Sequence, residues 1–140
     1  MICLPDVNVW IALAVGEHVH NAVARKWIDA VEDEIVFCRI TQMGLLRLLT
    51  NRRVMGPDAL SATRAWATFD AFLTDSRISR IGEPPGLEHH WRTSNNNEKH
   101  GSNWWTDTYL AAFASAADLT LVTSDVQLAG RKHVHTHLLR

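Results

Sequence analysis

The chain opens with Met1-Ile2-Cys3-Leu4-Pro5-Asp6-Val7-Asn8-Val9-Trp10, and this stretch fixes the fold class. Ile2 to Leu4 is a short apolar run of the kind that forms a buried strand. Val7 to Val15 (VNVWIALAV) is apolar and long enough for a helix, so strand gives way to helix almost at once. One carboxylate, Asp6, stands at the junction. An Asp in that place can accept bonds from the first free helical amides and sits well at the positive end of the helix dipole. The same place is also the carboxyl end of a strand, where ligands gather in open α/β sheets. Asn8, a polar residue one step on in an apolar stretch, has no capping duty to explain it. Asp6 is therefore the first functional candidate.

Working outward, the strand–helix alternation continues. Ala22 to Val31 carries Val23, Trp27, Ile28 and Val31 at helical spacing, and Ile35 to Cys38 is short and β-branched, as in a central strand. Thr41 is the expected N-cap of a helix from Gln42 to Thr50 with Leu45, Leu46, Leu48 and Leu49 on its apolar face. Gly56-Pro57-Asp58 predicts a turn, followed by a long helix to about Thr74 with Leu60, Trp66, Phe69, Phe72 and Leu73 inward. Arg77 to Ile81 reads as a strand ended by Gly82-Glu83-Pro84-Pro85-Gly86, and Leu87 to Trp91 as one or two helical turns. Thr93 to Asn103 is polar throughout and predicts an exposed loop. Thr106 to Asp118 is the clearest helix, Leu119 to Thr123 a strand, and His133 to Leu138 an edge strand. The expected architecture is one α/β domain over residues 1–140, three layers deep, around a central and mainly parallel sheet.

Composition narrows the class of function. The 140 residues are 46% hydrophobic and 21% charged with a net charge of −1, which describes a soluble globule and gives no global electrostatic attraction for nucleic acid. A local basic patch remains open, because Arg47, Arg52 and Arg53 lie close together. Cys3 and Cys38 fall in apolar strand-like runs and are expected to be buried thiols. No run approaches the ~20 apolar residues of a membrane-spanning helix, and the N-terminus lacks the pattern of a signal peptide. A cytoplasmic protein is expected.

Two further acids stand out. Asp107 shares a helical face with Leu110, Ala111, Ala114 and Ala117, so a carboxylate heads a core-facing stripe. A first-turn Asp answering the dipole, with Thr106 as cap, is the bland account. Asp125 follows the apolar strand Leu119 to Thr123 and would cap a short helix at Val126 to Ala129. Together with Asp6 these acids can converge on one edge of the sheet. Crowded carboxylates repel one another unless a divalent cation offsets their charge. Oxygen ligands suit Mg²⁺ or Mn²⁺, and such an ion can activate water and stabilise charge on a phosphoryl group.

The same residues carry a family resemblance. LPDVNVWIALA resembles the opening of a PIN domain, WTDTYLAAFA its helix bearing the third acidic position, and LVTSD its strand-end acidic position. TQMGLLRLLTN matches the helix between them in register, so the resemblance spans essentially the whole chain. The chain resembles a VapC-type toxin of a bacterial toxin–antitoxin pair. That resemblance implies a Mg²⁺-dependent ribonuclease, dimeric, inhibited by a cognate VapB-type antitoxin. Asp6, Asp107 and Asp125 would be its catalytic and metal-holding residues, with Asn8 and Thr123 or Ser124 fixing them by hydrogen bonds. The chain departs from the pattern at Gly44, where PIN domains usually carry a Glu near the start of the middle helix. Gln42, two residues earlier, offers only a neutral amide oxygen.

The departure keeps a second reading open: a PIN-like module that binds RNA or a protein partner without cutting. Among other residues, Trp105 stands beside the site and could stack on an unpaired base or pack into the core. Arg47 could contact phosphate or simply favour a helix end. His133, His135 and His137 would share one face of an edge strand, where solvation is a commoner fate than zinc binding.

Overall fold

The computed structural model describes residues 1–93 and 101–140. Five strands, β1 (Cys3–Pro5), β2 (Ile35–Phe37), β3 (Ile78–Arg80), β4 (Thr120–Thr123) and β5 (His135–Leu138), form one sheet in the order β3-β2-β1-β4-β5. Every pairing is parallel. Parallel neighbours need a crossover, and helices supply each one. The first crossover holds α1 (Val7–Ala14) and α2 (Asn21–Ala30), and the second holds α3 (Arg39–Leu49), α4 (Arg52–Met55) and α5 (Ala62–Leu73). The third holds α6 (Leu87–Thr93) and α7 (Trp104–Ala117), and the last only α8 (Val126–Ala129).

Side chains alternate across the sheet, as the pleat requires. Cys3, Ile35, Phe37 and Val122 face one layer, while Leu4, Val36 and Leu121 face the other. On the first side α1, α2, α3 and α5 close over an aromatic centre. Trp10 stacks on Phe37 at 3.7 Å between centroids, Phe72 meets Trp10 edge-on and Phe69 meets Phe37 likewise. On the second side Leu110, Phe113 and Ala114 of α7 are fully buried beside Leu87 and Leu128. The three-layer architecture expected from the alternation is the one the chain forms, with the sheet wholly parallel.

Helix boundaries differ from expectation for local reasons. Thr41 is not the N-cap of α3 but lies inside its first turn, where its hydroxyl accepts from the Cys38 amide (3.0 Å) and donates to the Cys38 carbonyl (3.0 Å). Residues 56–58 form a single 3-10 turn, and α5 starts only at Ala62, capped by Ser61 through the Arg64 amide (3.2 Å). The short α4, capped by Asn51, has too few residues to show a period. Trp66, expected inward, is 49% exposed, whereas Phe69 on the same helix is buried. Helix α7 starts two residues early, at Trp104. Most of the expected loop, residues 94–100, lies outside the described residues. No helix among the described residues is long and apolar enough to cross a membrane.

The strand order places the functional edge. From β1 the chain moves outward through β2 and β3, then returns to the opposite side of β1 as β4. The reversal between β1 and β4 is a topological switch point, and in such sheets the crevice lies just beyond the strands' carboxyl ends. Pro5 is in register with Val122, so Asp6 and Thr123 emerge side by side there.

Candidate active site

Asp6 leaves β1 with extended backbone, and its amide donates to the Val122 carbonyl at 2.9 Å. Its carboxylate caps α1 by accepting from the Val9 amide at 3.0 Å, and its other oxygen accepts from the Thr123 hydroxyl. Thr123 is fully buried and also accepts from the Asp125 amide at 3.0 Å, so one hydroxyl ties the two strand ends together. Asp6 is only 4% exposed. Burial pushes its carboxyl up to about 6; the bonds from Thr123 and Val9 oppose that rise, and the charges of Asp107 and Asp125 add to it.

Asp107, in the first turn of α7, is half-buried. Burial and then the Asp125 charge raise its carboxyl, and the Arg131 guanidinium pulls it the other way. Asp6 and Asp107 open onto one cleft of about 340 Å³ between α1, α3 and α7, which Asn8, Gly44, Arg47 and Thr106 also line. Asp125 is turned to α8, accepting from the Gln127 amide at 2.8 Å and the Leu128 amide at 3.4 Å. The capping role and the electrostatic one therefore coexist in this residue. Among the described residues no three acidic, His or Cys side chains are closed into a ready ligand cluster. Even so, the donor set fits a hard divalent cation. Two carboxylates share a cleft and a third acts on both, with no His or Cys among the residues lining it.

The other candidates separate. Thr123 donates its hydroxyl to the Asp6 carboxylate. Asn8 lines the cleft but is exposed, and among the described residues it makes no hydrogen bond to the three acids. Ser124 lines a different pocket, beside His20 and Ala24. Arg47 lies on the cleft wall, with Met43 Sδ at 3.5 Å as its contact. Trp105 is 61% exposed and meets Trp104 edge-on at 4.6 Å, so it is not a core residue. Gln42 does not stand in for a missing acid: it is buried, and its amide oxygen accepts from Arg39 at 2.7 Å. His135 and His137 are exposed in β5, and His133 precedes the strand at φ 67°, so the three do not share one strand face.

Two features escaped the sequence. Gly44 is where α3 meets α1: a Cβ built there would lie 2.5 Å from Val7 Cγ2, so the wall of the cleft is closed by valine and offers no acid. The charge of Arg131 acts on Asp107 from beyond α8, and nothing in its sequence neighbourhood signals that influence.

A parallel α/β sheet with its acids gathered at the switch point is the setting of a recognised family. The PIN domain family model matches residues 3–132, and the chain belongs to the PIN-domain family. Among individual proteins it is 43% identical to "Ribonuclease VapC41" of Mycobacterium tuberculosis over 97% of each chain. It is 32% identical to "Ribonuclease VapC29" of the same species, over 96% of this chain and 92% of that one. In fold it is similar to the solved VapBC2 structure from Rickettsia felis, bound to a DNA fragment from the promoter, with a TM-score of 0.73 and 17% identity over 100% of each chain.

Proposed function

We propose that this chain is the toxin of a VapBC-type, type II toxin–antitoxin pair, a Mg²⁺-dependent endoribonuclease that hydrolyses RNA phosphodiester bonds. The observation that carries the reading is the buried Asp6 carboxylate, open to a cleft it shares with Asp107 and held up in pKa by burial, Asp107 and Asp125. Likeness to proteins named as VapC ribonucleases supports the chemistry. Asp6 and Asp107 would hold Mg²⁺, or Mn²⁺, with Asp125 contributing through water or by its charge. The ion would acidify a bound water and offset charge on the phosphoryl group. Thr123 keeps one Asp6 oxygen in place while the Val9 amide of α1 holds the other, so the carboxylate is fixed before any ligand arrives. Because Asp6 holds its proton up to about pH 6, cations and protons compete there, and cation affinity rises as pH passes through that value.

A VapB-type antitoxin is the proposed partner, and a homodimer the proposed assembly; the VapBC2 complex among the structural neighbours supports the first. The test is cleavage of labelled RNA across a magnesium titration, alongside growth on expression. Asp6→Ala is expected to abolish cutting and growth arrest with the fold intact. Full activity in that variant overturns the proposal.

The acid-free wall at Gly44 favours a second reading, binding without cutting. RNA retained without products, even in Mn²⁺, would select it.

A further inference from the structure

We infer that Trp91 and Glu83 are positioning residues for the reaction: their hydrogen bonds to Thr108 and Tyr109 set the rotation of α7 and so aim Asp107 into the cleft beside Asp6. The inference rests on the nuclease reading above and adds what holds its second acid in place.

The two acids that share the cleft are held differently. Asp6 is fixed directly, one oxygen by the Val9 amide and the other by the Thr123 hydroxyl. Among the described residues the Asp107 carboxylate has no hydrogen-bond partner, and only its backbone amide is tied, to the Asn103 carbonyl at 2.9 Å. Asn103 supplies no side-chain cap, so the first turn of α7 is not locked from its own end. Where Asp107 points therefore depends on how the helix is turned.

Successive residues leave a helix about 100° apart, so Asp107, Thr108 and Tyr109 face three directions. The two that do not face the cleft are tied to one segment. Thr108 is fully buried, and its hydroxyl accepts from Trp91 Nε1 of α6 at 2.9 Å while donating to the Trp105 carbonyl at 3.1 Å. The Tyr109 hydroxyl donates to Glu83 at 3.0 Å, and the Trp91 ring meets the Tyr109 ring edge-on at 5.2 Å. That segment is itself anchored to the sheet. The Ile81 amide donates to the Phe37 carbonyl at 2.9 Å, and Leu87 is buried in the same layer as Leu110 and Phe113. Asp6 is referred to the sheet as well, through Val122 and Thr123. Both acids thus share one frame, which sets the separation across which a single cation would be held.

The test uses the full chain and follows Mg²⁺ alone by its effect on the melting temperature, with cleavage of a short fluorescein-labelled mixed-sequence RNA as the second readout. Thr108→Val and Trp91→Phe each remove one partner of the buried bond while keeping most of the bulk. Each is expected to move the Mg²⁺ midpoint roughly 10-fold upward in both readouts, with KM for RNA changed by less than about twofold. The double variant should be no worse than the worse single one, because the same bond is lost in each. Thr108→Ser is expected to restore the midpoint, and Tyr109→Phe to move it upward by releasing the Glu83 tie. Phe113→Ala, on the same helix but in neither tie, should lower the melting temperature and leave the midpoint alone. An unmoved midpoint in Thr108→Val and Trp91→Phe overturns the proposal. So does an equal shift in Phe113→Ala, because loss of stability alone then explains it. If the variants match an unmodified chain that cuts RNA, the positioning role fails and the nuclease reading stands. If the unmodified chain binds Mg²⁺ without cutting, the nuclease reading fails and the melts still decide the positioning role. No response to Mg²⁺ and no cutting ends both.

Discussion

Replacing Asp6 by Asn should stabilise the metal-free protein at neutral pH. The Asp6 carboxyl moves from an ordinary 3.8 to about 6 on folding, a difference worth about 3 kcal/mol. The sign follows from the direction. A raised acid binds its proton more tightly when folded, so its contribution is favourable below pH 4 and is lost as pH climbs through about 6. Above that, the ionised group is a burden of that size. Asn carries no charge, and its carbonyl can still accept from the Val9 amide. The Thr123 hydroxyl, now facing an amide while still accepting from Asp125, loses about 1 kcal/mol of bonding. The net gain is ~1–2 kcal/mol, or about 3–7 °C in Tm for a chain of this length. Thermal melts of both proteins in EDTA at pH 4, 5, 6 and 7.5 check it: the variant should melt higher at 7.5, and the advantage should vanish by pH 4. A variant that melts lower at pH 7.5, or a difference that ignores pH, refutes the account of Asp6 as a carboxylate kept charged against its surroundings.

Other consequences follow from the same geometry. Mg²⁺ at ten times its dissociation constant should raise the unmodified protein's stability by about 1.4 kcal/mol, and Asp6→Asn should lose that increment in a parallel melt. Thr123→Val, which leaves Asp6 and the Asp125 amide without their shared hydroxyl, should cost ~2 kcal/mol in denaturant unfolding at neutral pH. Gly44→Ala should be neutral or destabilising despite alanine's helix preference of ~1 kcal/mol, because its Cβ meets Val7 at 2.5 Å; adding Val7→Ala should recover the preference by relieving that contact. Phe113→Ala, at a fully buried position of α7, should cost ~3–5 kcal/mol with little change in RNA binding at equal folded fraction.

Much of the fold was legible because its signals are local. The apolar run Ile2 to Leu4 meeting VNVWIALAV, the β-branched Ile35 to Cys38 and the long stripe of α7 each announce their element by period and composition. Helix starts were less legible. Thr41 is a good N-cap residue by type, yet the backbone enters α3 at Arg39 and uses its hydroxyl from inside the first turn. Trp66 fits an inward stripe by spacing, but α5 presents Phe69 to the core and leaves the indole exposed. Asp6 and Thr123 could be named from their places at strand ends. Asn8 and Ser124 could not be told apart from them, since which way a side chain turns depends on what α1, α3 and α7 bring alongside.

The sequence by itself determined the class of the fold and the layers, and it singled out three acids as candidates, because strand and helix periods and strand-end position are properties of neighbouring residues. Tertiary structure alone decided the strand order, which sets β1 against β4 and so brings residues more than a hundred positions apart to one crevice. It also decided that α3 meets α1 through Gly44 and Val7, and that the charge of Arg131 is felt at Asp107. Burial and the mutual repulsion of carboxylates act through space, and no pattern along the chain records those separations.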